Sequence, residues 1–229
     1  SPHSVFLTGK AGTGKSTFLK HICQETKKNF VVVAPTGIAA VNVRGVTIHS
    51  FFQIPLGPIL PADTRLSKLT LNREKLKVMR ELDLMIIDEI SMVRADVMDA
   101  IDRVLRIVKR KPLPFGGVQL LLVGDLFQLE PVTVGEEWDL LENYYDSPFF
   151  FSAWAFKEIN LVNIELTKIY RQSDPFFIDL LNNIRNATPS EADFEEINSL
   201  PNRQPENSDK FYITLTATRL SLIHISEPT

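Results

Sequence analysis

The sequence predicts an α/β fold, a parallel sheet covered by helices, and three observations carry the prediction. Four short runs are almost continuously apolar: Val5–Thr8, Val31–Ala34, Leu84–Ile87 and Leu120–Gly124. Strands covered on both faces read this way, whereas half-exposed strands alternate. Helix-like segments separate the runs, as in parallel strands joined by crossovers. Polar motifs follow the C-terminal ends of the runs, where such sheets bind ligands.

The first run enters Gly9-Lys10-Ala11-Gly12-Thr13-Gly14-Lys15-Ser16-Thr17 and then an apolar helical pattern of Phe18, Leu19, Ile22 and Cys23. Glycines at 9, 12 and 14 permit backbone angles that a Cβ resists. Such a loop aims successive N–H groups at one anion, and the following helix adds the positive end of its dipole. Residues Gly9, Gly12, Thr13, Gly14, Lys15, Ser16 and Thr17 are therefore expected to hold a nucleoside triphosphate. Lys15 brings a cation to the β and γ phosphates, and the Ser16 hydroxyl suits Mg²⁺. Without its strand–loop–helix context, the segment would be a glycine turn with a surface lysine.

The third run, Leu84–Ile87, ends in Asp88-Glu89. Asp88 fits the task of holding the Mg²⁺ water shell beside Ser16. Glu89 fits a general base on attacking water. The fourth run continues as Asp125-Leu126-Phe127-Gln128-Leu129. Gln128 can reach a γ-phosphate and report its loss. In isolation this segment is a turn that closes a strand.

Composition bounds the rest. The 229 residues carry a net charge of −3, so any nucleic-acid contact must use local patches or uncharged groups. A single cysteine excludes an internal disulfide, and Cys23 on the apolar face of the first helix reads as packing. No run is long and apolar enough to span a membrane, and the start carries no basic-then-apolar leader. The expectation is a soluble intracellular protein.

Residues 54–82 break the strand–helix alternation. Pro55, Pro58 and Pro61 stiffen a loop, and Lys68, Arg73, Lys75, Lys77 and Arg80 mark a basic helix. This is an insertion over the sheet or a solvated connection. A helix over about 94–109 places Val97, Ile101, Val104, Leu105 and Val108 inward. Its basic end of Arg103, Arg106, Lys109, Arg110 and Lys111 reads as dipole complementation. From Ile164 a second unit is predicted, with helices over about 175–185 and 191–200 and a strand over 211–217.

Six motifs now stand in order: Gly9–Thr17, Ala34-Pro35-Thr36-Gly37-Ile38-Ala39-Ala40, Thr47-Ile48-His49-Ser50-Phe51-Phe52, Asp88-Glu89-Ile90-Ser91-Met92-Val93, Gly124–Leu129 and Tyr170-Arg171-Gln172. Over Val5 to about Arg219 the chain resembles the PIF-type superfamily-one DNA helicases, with RecD-type helicases as close cousins. The resemblance implies a RecA-like nucleotide-hydrolysing domain over 1–163 and the start of a second motor domain over 164–219. It implies ATP and Mg²⁺ as cofactors and 5′-to-3′ movement on single-stranded DNA. Lys15, Ser16, Asp88 and Glu89 match the ATPase core, Gln128 the γ-phosphate sensor, and Arg171 an arginine reaching the γ-phosphate from the second motor domain. Pro35, Thr36, Gly37, His49, Ser50 and Phe51 match segments that grip the DNA strand, while residues 54–82 match a small duplex-splitting wedge.

Physical reading of the DNA groups agrees in part. Thr and Ser hydroxyls and backbone N–H groups grip phosphates without net charge. Phe51 can stack on a base or belong to the core, Phe52 reads as core, and His49 fits either role. Partners implied are single-stranded DNA and duplex junctions, with a monomer as the unit and no membrane. The implied setting is DNA repair, recombination or telomere maintenance. That places the protein in the cytoplasm and nucleoid of a bacterium, or the nucleus or mitochondrion of a eukaryote.

Compared with the family pattern, an upstream adenine-reading glutamine segment and the later motifs of the second motor domain fall outside this sequence. The chain alone is therefore expected to bind Mg-ATP weakly and not to unwind duplex. Residues 220–229 resemble the in-frame translation of a sequencing-library adaptor and are expected to carry no evolved function. A different phosphate-loop enzyme, such as a small-molecule kinase or nucleotide-gated switch, and a non-enzymatic nucleotide-binding module remain the alternatives.

Overall fold

Six parallel strands form one sheet in the computed structural model, which describes residues 3–68 and 71–199. They are β1 (Ser4–Gly9), β2 (Phe30–Ala34), β3 (Val46–Thr47), β4 (Leu84–Ile87), β5 (Gln119–Val123) and β6 (Leu161–Leu166), in the order β3-β2-β4-β5-β1-β6. Pairings such as Leu7 with Val123, Ile87 with Leu122 and Val33 with Ile87 keep the C-terminal ends of the four central strands level. The helices are α1 (Lys15–Glu25), α2 (Gly37–Asn42), α3 (Ile48–Phe52), α4 (Arg73–Glu81), α5 (Ala95–Lys109), α6 (Glu137–Leu141), α7 (Pro175–Arg185) and α8 (Glu191–Ser199).

The two sheet faces bury different residues of the same strands. Leu7, Val32, Ile86, Leu121 and Val123 pack with Leu19 of α1, joined by the half-buried Ile22 and Cys23. Phe6, Val33, Met85, Ile87 and Leu122 pack under α5, whose Val97, Ile101, Val104, Leu105 and Val108 are all buried as the periodicity predicts. Phe18 departs from the predicted apolar face of α1 and is 38% exposed.

Two strands escaped the sequence reading. β3 has only two residues and pairs with β2 at Val33 and Ala34. β6 pairs with β1 along all six residues, yet Val162, Asn163, Ile164 and Glu165 are exposed. An edge strand of mixed polarity lacks the continuous apolar signature of a central one. The first compact unit runs to Pro175 and so includes β6. In the second unit, Asp193 of α8 accepts hydrogen bonds from Asn183 of α7 and from the Ser190 backbone and hydroxyl. The predicted strand over 211–217 and the tail over 220–229 lie outside the described residues.

The insertion is anchored rather than merely solvated. Ile54, Ile59 and Leu66 join the core under α5. α4 is capped by the Asn72 side chain, which accepts from the Lys75 N–H at 2.8 Å, and it buries Met79. Arg94, at the N-cap of α5, ties the insertion down. Its guanidinium donates to both Asp96 oxygens, to Glu137 and, at 2.7 Å, to the Gly57 carbonyl. Asp96 also accepts from the Ile59 N–H at 2.9 Å.

Candidate nucleotide and DNA-strand site

The motifs meet at the C-terminal edge of the sheet because every strand points there. β1 turns into the phosphate loop, where Gly9, Gly12 and Gly14 all have positive φ (150°, 79° and 95°). A Cβ on Gly14 would meet nothing within 4 Å, so that glycine serves backbone angle alone. At Gly12 the constraint is contact: a Cβ would lie 2.5 Å from the Arg171 Cβ. Thr13 is buried, and its hydroxyl donates to the Lys10 carbonyl at 2.8 Å. Lys15 opens α1 and donates from Nζ to the Gly9 carbonyl (2.6 Å) and the Lys10 carbonyl (3.1 Å). The ammonium thus rests on loop carbonyls that a phosphate oxygen, a stronger acceptor, can replace. Ser16 and Thr17 are exposed on the first turn of α1.

Asp88 and Glu89 follow β4, one strand beyond β5 from the loop. Asp88 is fixed by its N–H, which donates to the Val33 carbonyl at 3.0 Å. Burial pushes both carboxyl pKa values up. The Asp88 charge adds to the rise at Glu89, and the Lys15 ammonium opposes it in both. The strand order β4-β5-β1 sets the segments that carry Lys15 and the two carboxylates at the same end of neighbouring strands. A carboxyl with raised proton affinity is the stronger base. Glu89 also holds a left-handed backbone, φ 50° and ψ 44°, uncommon for a residue with a Cβ.

After β5, Asp125 is 1% exposed and organises the turn. Its carboxylate accepts from the Phe127 N–H and from the Gln128 side-chain amide, both at 3.1 Å. Asp125 also adds to the rise of the Glu89 pKa, after burial and Asp88. Gly124 lets the two turns touch. A Cβ there would lie 2.9 Å from Ile90 Cγ2 and 3.1 Å from the Ile90 nitrogen. We expect Gly124→Ala to cost about 1–3 kcal/mol in urea unfolding, since backbone must move to admit the methyl. Unchanged stability would show that the two turns are not in rigid contact.

Arg171 lies in the first unit, not across a boundary, and its segment is seated on the phosphate loop. The Tyr170 N–H donates to the Gly12 carbonyl at 2.8 Å. Strand β6 delivers it there by running alongside β1.

The expected DNA groups divide. Pro35, Thr36 and His49 line one cavity of about 280 Å³ with Leu56, Arg94 and Val132. Thr36 Oγ1 caps α2 by accepting from the Ala39 N–H, and Gly37 is exposed at the start of that helix. Ser50 is exposed, and its carbonyl accepts from Lys75 Nζ. Burial and the Arg94 guanidinium push the His49 pKa down, with Asp96 opposing. Phe51 departs from expectation. It is buried with its ring edge-on to Phe52, centroids 4.9 Å apart, and so presents no free face for a base. It shares one buried cluster with Ile54, Ile59 and Leu66 of the insertion.

Sequence reasoning missed Arg94, Asp96 and Glu137 as the brace of this cavity, and Asp125 as the holder of Gln128. Glu137 is 43 residues from Arg94, a separation that no local pattern reports. Asp125 stood inside a quoted motif with no role assigned.

The residues present fit a nucleotide and its metal. Gly14 faces open space, Lys15 supplies a cation, and Ser16 and Asp88 supply hard oxygens of the kind magnesium prefers. Among the described residues no helix is long and apolar enough to cross a membrane.

Comparison with known proteins agrees with this geometry. A PIF1-like helicase family model matches residues 1–193. ATP-dependent DNA helicase PIF1 of Saccharomyces cerevisiae is 36% identical over 211 residues, covering 90% of this chain and 24% of that protein. The Homo sapiens PIF1 is 38% identical over 185 residues, 80% of this chain and 27% of that one. The crystal structure of Bacteroides Pif1 bound to single-stranded DNA superposes with a TM-score of 0.90 at 46% identity, over 97% of this chain and 52% of that one. A Bacteroides Pif1 complex with ADP-AlF3 and single-stranded DNA gives the same values. This chain thus spans about a quarter of its curated relatives and half of the solved structures. With the family model covering most of its length and the motifs gathered at one sheet edge, the chain belongs to the PIF1-like helicases.

Proposed function

We propose that this chain supplies the ATP-hydrolysing, strand-gripping part of a DNA helicase that moves 5′ to 3′ on single-stranded DNA. The observation that carries the reading is the gathering of Lys15, Asp88, Glu89, the Asp125–Gln128 turn and the Arg171 segment at the C-terminal ends of neighbouring strands. The phosphate-loop amides and Lys15 bind and orient the β and γ phosphates. Ser16 and Asp88 hold magnesium, which when bound neutralises phosphate charge. Glu89 takes a proton from water as its oxygen attacks the γ-phosphorus, and the bond to the β–γ bridging oxygen breaks, releasing ADP and phosphate. Gln128, steadied by Asp125, senses the γ-phosphate. Arg171 adds positive charge there in the transition state.

Pro35, Thr36, Gly37, His49 and Ser50 grip the strand in this proposal, and residues 54–82 form the wedge. Support for the grip is the shared cavity of Pro35, Thr36 and His49. Support for DNA comes from relatives solved with single-stranded and forked DNA. The polarity, the duplex-junction substrate and the setting in repair, recombination or telomere maintenance follow from family membership. Residues 164–219 are read as the start of a second motor domain. A monomer contains all the groups named here.

Glu89→Gln separates binding from chemistry. Fluorescent-nucleotide binding is expected to persist while oligo-dT-stimulated hydrolysis falls about 10²–10⁴-fold. Wild-type-like hydrolysis in the variant would remove Glu89 as base. Lack of any stimulation of the wild type by oligo-dT would remove the DNA-motor reading.

A further inference from the structure

The far edge of the sheet carries a separate cluster of charge. α5 is the crossover from β4 to β5 and runs back against the strands. Its fifteen residues put its end about 22 Å from its start, away from the phosphate loop. The five cations at this end are not alike. Arg103 donates to the Pro61 and Asp63 carbonyls. Arg106 is ion-paired with Asp102 and Glu158. Lys109 Nζ reaches the Arg80 and Leu82 carbonyls at 2.8 and 2.7 Å, which ties α4 to α5 through neutral acceptors.

Arg110 and Lys111, with the Arg80 guanidinium, meet no side-chain partner among the described residues. These three cations, with Lys109 and Val108, line a cleft of about 390 Å³. Burial pushes the Lys109 pKa down, with neighbouring Lys111 adding and Asp83 opposing. Arg110 also sits at the helix C-cap with φ 52° and ψ 41°, a conformation that favours glycine. Dipole complementation accounts for Lys109 in the last turn but not for cations beyond it.

We propose that this cleft is a binding site for the phosphate backbone of double-helical DNA. The inference rests on the DNA-helicase reading above and adds a second contact at the opposite sheet edge. Its chemistry selects the ligand. The lining side chains are donors and one valine, with no ring to stack on a base and no acceptor to read one. Such a site takes phosphates without regard to sequence. Single strands are held by stacking as well as charge, and the cleft offers only charge. A duplex presents one charge per roughly 1.7 Å of axis, dense enough to answer several cations together. A DNA strand gripped at the other edge would also keep its duplex arm at high local concentration.

The test uses the 229-residue chain and fluorescence anisotropy at low salt, with a blunt duplex, oligo-dT and a poly-glutamate peptide as probes. Arg110→Glu with Lys111→Glu is expected to weaken duplex binding at least about tenfold and to lower the log–log salt slope by about 1.8, for two lost phosphate contacts. Oligo-dT and fluorescent-nucleotide binding should not change. Arg110→Gly is the second variant: it relieves the backbone, so it should melt higher and yet bind duplex less tightly. Unaltered duplex binding in both variants overturns the proposal. So does a wild type that ignores duplex, or one that prefers poly-glutamate and loses it in the double variant. If oligo-dT binds and stimulates hydrolysis while duplex binding is insensitive to these residues, only this inference fails. If oligo-dT does neither, the helicase reading fails first.

Discussion

Lys15→Ala is expected to weaken fluorescent-ATP binding by about 10–150-fold, the worth of a charge-assisted hydrogen bond of roughly 1.5–3 kcal/mol. Hydrolysis should fall a further 10²–10³-fold or so, because in the proposed function the ammonium faces charge that builds on the phosphates in the transition state. Stability should barely change. The bonds lost include those from Nζ to the Gly9 and Lys10 carbonyls, on a loop where water can replace them. This combination is diagnostic: a melting curve like that of the wild type with nucleotide binding gone. A variant that retained hydrolysis would show that the phosphate loop is not the catalytic site.

Asp96→Ala should be the most damaging single change to the fold. The Asp96 side chain is fully buried, and it accepts from Arg94 Nε at 2.9 Å, from the terminal Arg94 nitrogen at 2.8 Å and from the Ile59 N–H at 2.9 Å. Its removal leaves a largely buried guanidinium with Glu137 as its remaining carboxylate, and strands a backbone donor. Breaking such a pair from one side costs about 3–5 kcal/mol. Against a total of roughly 5–15 kcal/mol, that is enough to bring the domain near unfolding. Urea denaturation measures it, and a loss below about 1 kcal/mol would mean that the brace is incidental. Asp96→Asn, which keeps acceptor oxygen and shape, should lose less.

Central strands and α5 were legible because their signal is local. A strand covered on both faces must be apolar throughout, and a helix on a sheet must repeat its apolar side chains every three or four residues. β6 was illegible for the converse reason: its outward residues face no second layer, so Asn163 and Glu165 are tolerated. The phosphate loop and Asp88-Glu89 were readable as motifs, since their chemistry dictates residue type and spacing. Phe51 could not be assigned from sequence, because two adjacent phenylalanines on a short helix do not reveal which side the insertion covers. The brace of Arg94, Asp96 and Glu137 joins residues 43 positions apart, and the sorting of the basic helix end depends on where carbonyls fall in space. Pairings of that kind exist only after folding.

The left-handed turn at Glu89 bears on any effort to engineer this domain. A side chain there costs about 1–2 kcal/mol that glycine would recover. Screens that rank a mutant library by heat resistance should therefore enrich Glu89→Gly, and under the proposed function the winners would be catalytically dead. Selection for robustness and selection for turnover pull this codon in opposite directions.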